Sequence, residues 1–256
     1  MLQIEDLQVR LGDKIILDHI DLEIEPGETH VLFGPNGSGK TSLLMTIVGY
    51  PQYEVVKGTI LFKGEDITRW PINERAQLGI GMSYQRPPTI NGLKTRQMVE
   101  ICANREVDVE AMASQVNLES FLERDVNQGF SGGEIKRSEL LQLLAQNADL
   151  MLFDEPESGV DLENIALVGK TIAELLQKNG RSPDIPDIRD KTKMQRKLER
   201  MKMGLIITHT GFILDYVDAD KGQVLFNGRL SCVSNPREIL TCIGHSGYEE
   251  CVRCIA

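Results

Sequence analysis

The segment Gly34-Pro35-Asn36-Gly37-Ser38-Gly39-Lys40-Thr41 constrains this chain more than any other stretch. It matches the pattern G-x-x-x-x-G-K-[ST] at every fixed position. Glycines let the backbone curl until several N–H groups point inward at phosphate oxygens. Lys40 then reaches the β- and γ-phosphates, and the Thr41 hydroxyl suits a Mg²⁺ ion. The flanks agree. Thr29-His30-Val31-Leu32-Phe33 reads as a short buried strand, and Thr41 to Val48 reads as a helix with Ser42 in its first turn. A glycine-rich turn without a ligand is the bland alternative, and the flanking strand and helix weigh against it. The expected ligand is a nucleoside triphosphate.

Composition narrows the class. The 256 residues suit one large domain, or one domain with a lobe, and 41% apolar with 26% charged residues is ordinary for a globular protein. A net charge of −10 argues against a general nucleic-acid binder. No apolar run approaches the ~18–20 residues of a membrane span, and Met1-Leu2-Gln3-Ile4-Glu5-Asp6 is no signal peptide. The sequence therefore predicts a cytoplasmic protein without direct membrane insertion. Five cysteines, mostly near the C-terminus, do not form a disulfide framework. Cys102 and Cys232 sit on apolar patterns and are expected to be buried.

Alternation of apolar and polar residues marks Leu2 to Leu11 and Ile15 to Glu25 as half-buried strands. Gly58 to Gly64 and Ile80 to Tyr84 read as further strands, the second ending at Gln85. Pro87-Pro88 and Asn91-Gly92 mark a loop, after which helical patterns run to Gln146. Leu150-Met151-Leu152-Phe153-Asp154 and Gly204 to His209 read as core strands of a parallel sheet. Asp161 to Asn179 reads as a long amphipathic helix, and Val224 to Cys232 as a hairpin turning at Asn227-Gly228. Strands alternating with helices imply an α/β core.

Further motifs narrow the loop match. Phe130-Ser131-Gly132-Gly133-Glu134 opens a helix, so its backbone amides and Ser131 make a second anion-binding helix start. Asp154 and Glu155 stand at a strand end, where one acid can hold the Mg²⁺ hydration shell and the other can polarise a water. Ser158-Gly159-Val160-Asp161 follows at once. Gln85 ends one strand and His209 another.

In this order the motifs resemble the ATP-binding cassette ATPases over nearly the whole chain. The resemblance implies an α/β fold with a RecA-like P-loop core, an N-terminal antiparallel β-subdomain and an inserted α-helical subdomain. Residues 1–85 and 148–240 would form the core and β-subdomain, and 86–147 the helical subdomain. The cofactors implied are ATP and Mg²⁺, with Thr41, Gln85 and Asp154 on the ion. Glu155 would be the general base, His209 would position the γ-phosphate and water, and Gln85 would couple the site to the helical lobe. Two copies would pair on ATP, each phosphate loop facing Ser131-Gly132-Gly133 of the other copy, with Asp161 communicating across the dimer. One departure stands out: no aromatic residue lies between Met1 and His30, where the family often stacks the adenine.

Within the family, Gly81 to Gly92, Phe130 to Glu139 (with its Lys136-Arg137-Ser138-Glu139 continuation) and Asp154 to Asp161 resemble the Suf-type ATPase of iron–sulfur cluster assembly. That resemblance implies a soluble scaffold of Suf core proteins (SufB/SufD-like) as partner. Pro156 and a longer segment before His209 depart from it. Two other readings stand beside it: the ATP-binding subunit of a membrane importer, and a nucleotide-gated clamp that works by dimerising.

Two segments are left over. Arg181 to Lys202 carries eight basic and four acidic residues, a net +4 in a chain of −10. Within this basic insertion (181–203), Asp190 to Met203 reads as a helix with Met194, Leu198 and Met201 on one stripe. It is either a solvated helix docked on its own domain or a partner contact. In the cysteine-rich tail (241–256), Cys242, His245, Cys251 and Cys254 have ligand types and local spacings suited to Zn²⁺ or an iron–sulfur centre. A redox pair and inert cysteines are the alternatives.

Overall fold

The computed structural model describes residues 1–103, 105–177 and 200–255. Three strand segments build the first sheet: β1 (Leu2–Leu11), β2 (Lys14–Ile24) and β4 (Tyr53–Phe62), the last followed by the short β5 (Glu65–Asp66). Their order is β2-β1-β4-β5 and every pairing is antiparallel. The alternation read from the sequence is the cause: Leu2, Ile4, Leu7 and Val9 of β1 are all buried on one core, while the residues between them are partly or fully exposed.

A six-stranded sheet forms the centre. Its order is β12 (Arg229–Leu230), β11 (Lys221–Phe226), β3 (Thr29–Phe33), β10 (Met203–Ile207), β9 (Leu150–Asp154) and β6 (Ile80–Ser83). All pairings are parallel except the β11–β12 hairpin. That hairpin turns at Asn227 (φ 49°) and Gly228 (φ 75°), as the Asn-Gly pair requires. The continuous apolar runs serve both faces. Leu150 and Leu152 join one core with Leu32, Leu205 and Ile207, whereas Met151 and Phe153 join the other with Val31, Phe33 and Ile206.

Helices α1 (Lys40–Val48) and α2 (Ile72–Leu78) lie on the first of these cores and α6 (Leu162–Leu175) on the second. The end of α1 is fixed chemically. Gly49 closes it in the left-handed conformation, and the buried Arg75 guanidinium donates to the Thr46 and Ile47 carbonyls at 2.8 and 2.9 Å.

Between β6 and β9 the chain makes the helical lobe: α3 (Thr95–Ala103), α4 (Val109–Gln115) and α5 (Gly132–Gln146). Its own core contains Val99, Ala113, Val116, Leu118 and Leu122. Asn91-Gly92 is not the plain loop expected. It belongs to β7 (Ile90–Lys94), which pairs with β8 (Asp125–Val126), and the Gly92 amide donates to the Asp125 carboxylate at 2.8 Å. Helix α5 is shared, with Leu140 and Leu143 in the core behind the central sheet and Leu141 and Ala145 in the lobe core.

The last helix, α7 (Pro236–Ile255), packs on β11 and carries the residues expected to form a tail. Two further expectations change. Most of the basic insertion lies outside the described residues. Met203, expected to end a helix there, opens strand β10, and Arg200 to Lys202 have no regular structure. Cys102 is half-buried against the lobe core, short of the full burial expected, and Cys232 is exposed just beyond the hairpin.

Replacing Arg75 by Met removes donors from two helix-end carbonyls without touching the strand ends that carry the motifs. The expected loss is roughly 1–3 kcal/mol, seen as a lower urea midpoint with an unchanged slope.

Candidate functional site

Four neighbouring strands of the central sheet deliver the predicted residues to one edge. Beyond the C-terminal ends of β3, β10, β9 and β6 lie, respectively, Gly34, His209, Glu155 and Gln85. Ligands of parallel α/β sheets gather at this edge, because strands run out of partners there while the following helices begin.

The phosphate loop is held open from within. Gly39 caps α1 at φ 107°, a left-handed conformation suited to glycine, and a side chain there would press on Leu17 at 2.9 Å. The buried Lys40 ammonium donates to the Gly34 and Pro35 carbonyls at 2.8 and 2.9 Å, bridging back across its own loop. Burial lowers its pKa, against the pull of the Glu155 and Asp154 charges. Ser38 Oγ is buried and has no hydrogen-bond partner among the described residues, so the loop holds a donor in reserve for an anion.

Thr41 Oγ1 donates to the Asp154 carboxylate, at 3.0 Å to Oδ2 and 3.3 Å to Oδ1. Asp154 is 1% exposed, and desolvation raises its pKa. A hydroxyl and a carboxylate of this kind are hard oxygen donors and fit Mg²⁺. Among the described residues no hydrogen bond joins Gln85 to this pair.

Gln85 instead donates from Nε2 to Glu155 Oε2 at 2.5 Å, and His209 Nε2 lies 2.6 Å from Glu155 Oε1. Both oxygens of the acid are thus engaged, one by each residue expected beside it. Glu155 has φ 49°, a left-handed backbone that costs a non-glycine residue on the order of 1–2 kcal/mol. The conformation turns the chain out of β9 so that Asp154 and Glu155 point to different partners.

A helix does open at Phe130 to Glu134. Ser131 caps α5 in a reciprocal box: its Oγ accepts from the Glu134 amide at 3.4 Å, and its own amide donates to Glu134 Oε2 at 2.7 Å. Gly132 lies under Gly159, where an added Cβ would sit 2.0 Å from the Gly159 carbonyl oxygen, and Gly133 packs on Asn164. Asp161 caps α6, accepting from the Asn164 amide at 2.9 Å. Within one copy, therefore, the Ser131-Gly132-Gly133 segment abuts the Gly159 to Asp161 loop.

Sequence reasoning missed a buried ion pair on α5. Lys136 donates to the Tyr84 carbonyl and to that of Gln85 at 3.3 Å, and pairs with Glu139 at 3.5 Å. Glu139 in turn accepts from the Tyr84 amide at 2.8 Å and the Ser83 hydroxyl at 2.9 Å. Burial lowers the Lys136 pKa and raises that of Glu139, while each charge favours the ionised form of the other. The i, i+3 spacing was readable as a helix-face pair. Its partners, more than fifty residues away, were not.

The tail also differs from expectation. Among the described residues no group of three or more His, Cys, Asp or Glu is placed to hold a metal. Cys251 is fully buried, packing with the apolar residues behind the central sheet, and Cys242 packs against the same cluster. The hydrophobic face of α7 therefore claims these sulfurs. The side chain of Cys254 lies outside the described residues, and His245 is exposed. What the tail does reach is the phosphate loop: Gly247 kinks α7 at φ 75°, and the half-buried Tyr248 places its hydroxyl against the Gly34 backbone.

The ABC transporter family profile matches residues 17–158. The chain is 33% identical over 246 residues to the probable ATP-dependent transporter SufC of Escherichia coli, covering 90% of both proteins. It is 33% identical to the probable ATP-dependent transporter ycf16 of Antithamnion sp., covering 89% of this chain and 91% of that one. It is 34% identical to vegetative protein 296 of Bacillus subtilis, over 97% and 92% of the two chains. A nucleotide-free ATP-binding cassette from an ABC transporter shares the fold with a TM-score of 0.76 at 22% identity, over 98% of each chain. Phosphate loop, acidic strand end, glutamine and histidine thus converge on one sheet edge, with the start of α5 beside them, in a chain matched along most of its length, and the chain belongs to the ATP-binding cassette family as an ATP hydrolase.

Proposed function

We propose that this ATPase works in iron–sulfur cluster assembly of the Suf type, in the cytoplasm, driving conformational change in a soluble scaffold. The observation that carries this reading is the grip of Lys136 and Glu139 on the Tyr84–Gln85 backbone. Those residues belong to the segment that sets the Suf-type resemblance. They join α5 to the strand end leading into the helical lobe. Relatives named SufC and ycf16 along about nine-tenths of the chain support it. No described helix is long and apolar enough to cross a membrane, which suits either a soluble partner or a separate permease.

Hydrolysis follows from the strand-end geometry. The loop amides and Lys40 bind the triphosphate; the ammonium spends two of its three N–H donors on the Gly34 and Pro35 carbonyls and has the third for a phosphate oxygen. Thr41 and Asp154 would hold Mg²⁺, which when bound would neutralise charge on the phosphate oxygens. A water attacks the γ-phosphorus; Glu155 accepts its proton as the new P–O bond forms and the bond to the β-phosphate oxygen breaks, releasing ADP. Gln85 and His209 each take one site on a different oxygen of Glu155, which leaves a lone pair on each oxygen to receive the water. Closure of a second copy brings its Ser131-Gly132-Gly133 onto the triphosphate, with Asp161 at the contact. Catalysis is thus positioning and electrostatics.

The docking surface proposed is the groove of about 760 Å³ between core and lobe, lined by Tyr84, Pro87, Met98, Ile101 and Gln142. Tyr84 and Pro87, on either side of the Gln85–Arg86 pair, line it, so motion of Gln85 would be felt by whatever sits there.

Four outcomes are expected. Glu155→Gln retains ATP binding, loses about 10²–10⁴ in kcat, and accumulates as a nucleotide-bound dimer by gel filtration. Lys40→Ala loses ATP binding itself, measured by calorimetry. Anaerobic affinity purification from the native host recovers a soluble scaffold; recovery of an integral membrane permease instead overturns the Suf-type reading in favour of the importer. Asp154→Asn shows a trade-off. The folded state holds the Asp154 proton to higher pH than the unfolded chain does, so stability is lost as pH rises through that window and stays lost at neutral pH. Removing the charge therefore raises the melting temperature at neutral pH without nucleotide, while Mg²⁺-dependent hydrolysis disappears.

A further inference from the structure

We infer that Glu157 is a positioning residue that orients His209 and ties it to the loop carrying Asp161. Glu157 lies two residues beyond Glu155 and is 8% exposed. Its Oε1 accepts hydrogen bonds from the hydroxyls on either side of the histidine, from Thr208 and, at 3.1 Å, from Thr210. The Thr208 hydroxyl in turn accepts from the Gly211 amide at 2.8 Å, which closes the turn containing His209. A single carboxylate oxygen thus holds both neighbours of a side chain that stands 2.6 Å from Glu155.

The other end of the clamp is equally placed. The Glu157 carbonyl accepts from the Val160 amide at 3.3 Å, and Gly159 lies against Gly132 at the start of α5. A push on the Gly159 to Asp161 loop reaches Glu157 through one turn of backbone, and from there the histidine. Glu157 Oε2 is buried and makes no hydrogen bond among the described residues. A buried acid half-used in this way is costly for stability alone, since the unpaired oxygen forfeits hydration. The cost is consistent with a residue kept to aim something rather than to hold the fold.

The inference rests on the reading of His209 and Glu155 as the working pair, and a cycle of variants separates the two. Glu157→Leu, which keeps the bulk and removes the acceptor, is expected to lower kcat about 10–100-fold while the ATP dissociation constant stays within about 3-fold. Glu157→Gln, which keeps an acceptor oxygen, restores kcat to within about 3-fold of the parent. In a His209→Ala background, Glu157→Leu should change kcat by less than about 2-fold, because the orienting residue has nothing left to orient. Thr210→Val removes one donor at an exposed position and tests the same cycle should the leucine variant fail to fold. It is expected to lower kcat about 3–10-fold, again only when His209 is present. A parental kcat in Glu157→Leu, or in Thr210→Val where the leucine variant does not fold, overturns the inference. So do effects that multiply with His209→Ala. A parental kcat in His209→Ala alone overturns the reading of the catalytic pair instead.

Discussion

The structure depends on a parallel sheet buried on both faces. Such a sheet needs apolar side chains on alternate sides of every central strand, and Leu150 to Phe153 and Leu205 to Ile207 supply them. Polar chemistry is therefore disfavoured along β9 and β10 and gathers at their ends. Asp154, Glu155, Thr208, His209 and Gln85 all sit within two residues of a strand terminus. Parallel pairing fixes the remainder: Ile207 stands beside both Leu32 and Asp154, so the phosphate loop, the acids and the histidine emerge side by side.

Charge is concentrated where the sheet ends. Lys40, Lys136, Glu139, Asp154 and Glu157 are all buried within this region. Desolvation lowers the pKa of both lysines and raises that of all three acids, so the site stores electrostatic tension that a bound polyanion and cation can relieve. The strained backbone at Glu155 belongs to the same economy. Function here is bought with stability.

The parts legible in sequence are those governed by local rules. The phosphate loop, the capping box at Ser131, the Asn227-Gly228 turn and the double-faced strands each follow from residues within a few positions of one another. What escaped depends on distance. The clamp of Lys136 and Glu139 on Tyr84, and of Glu157 on Thr208, joins segments whose meeting is decided by strand order. Cysteine spacing in the tail left a ligand set, a redox pair and inert thiols open, and packing speaks for the last at Cys251, which the apolar face of α7 claims. Cys232 went the other way, its apolar neighbours ending at a hairpin that leaves it in solvent.

The kink at Gly247 has a consequence for the far end of the chain. Tyr248 and the Gly34 backbone are neighbours, so a glycine outside every phosphate-binding motif decides what stands behind the phosphate loop. A left-handed φ is open to glycine and strained for other residues, which makes Gly247 the one point at which the course of the last helix is set.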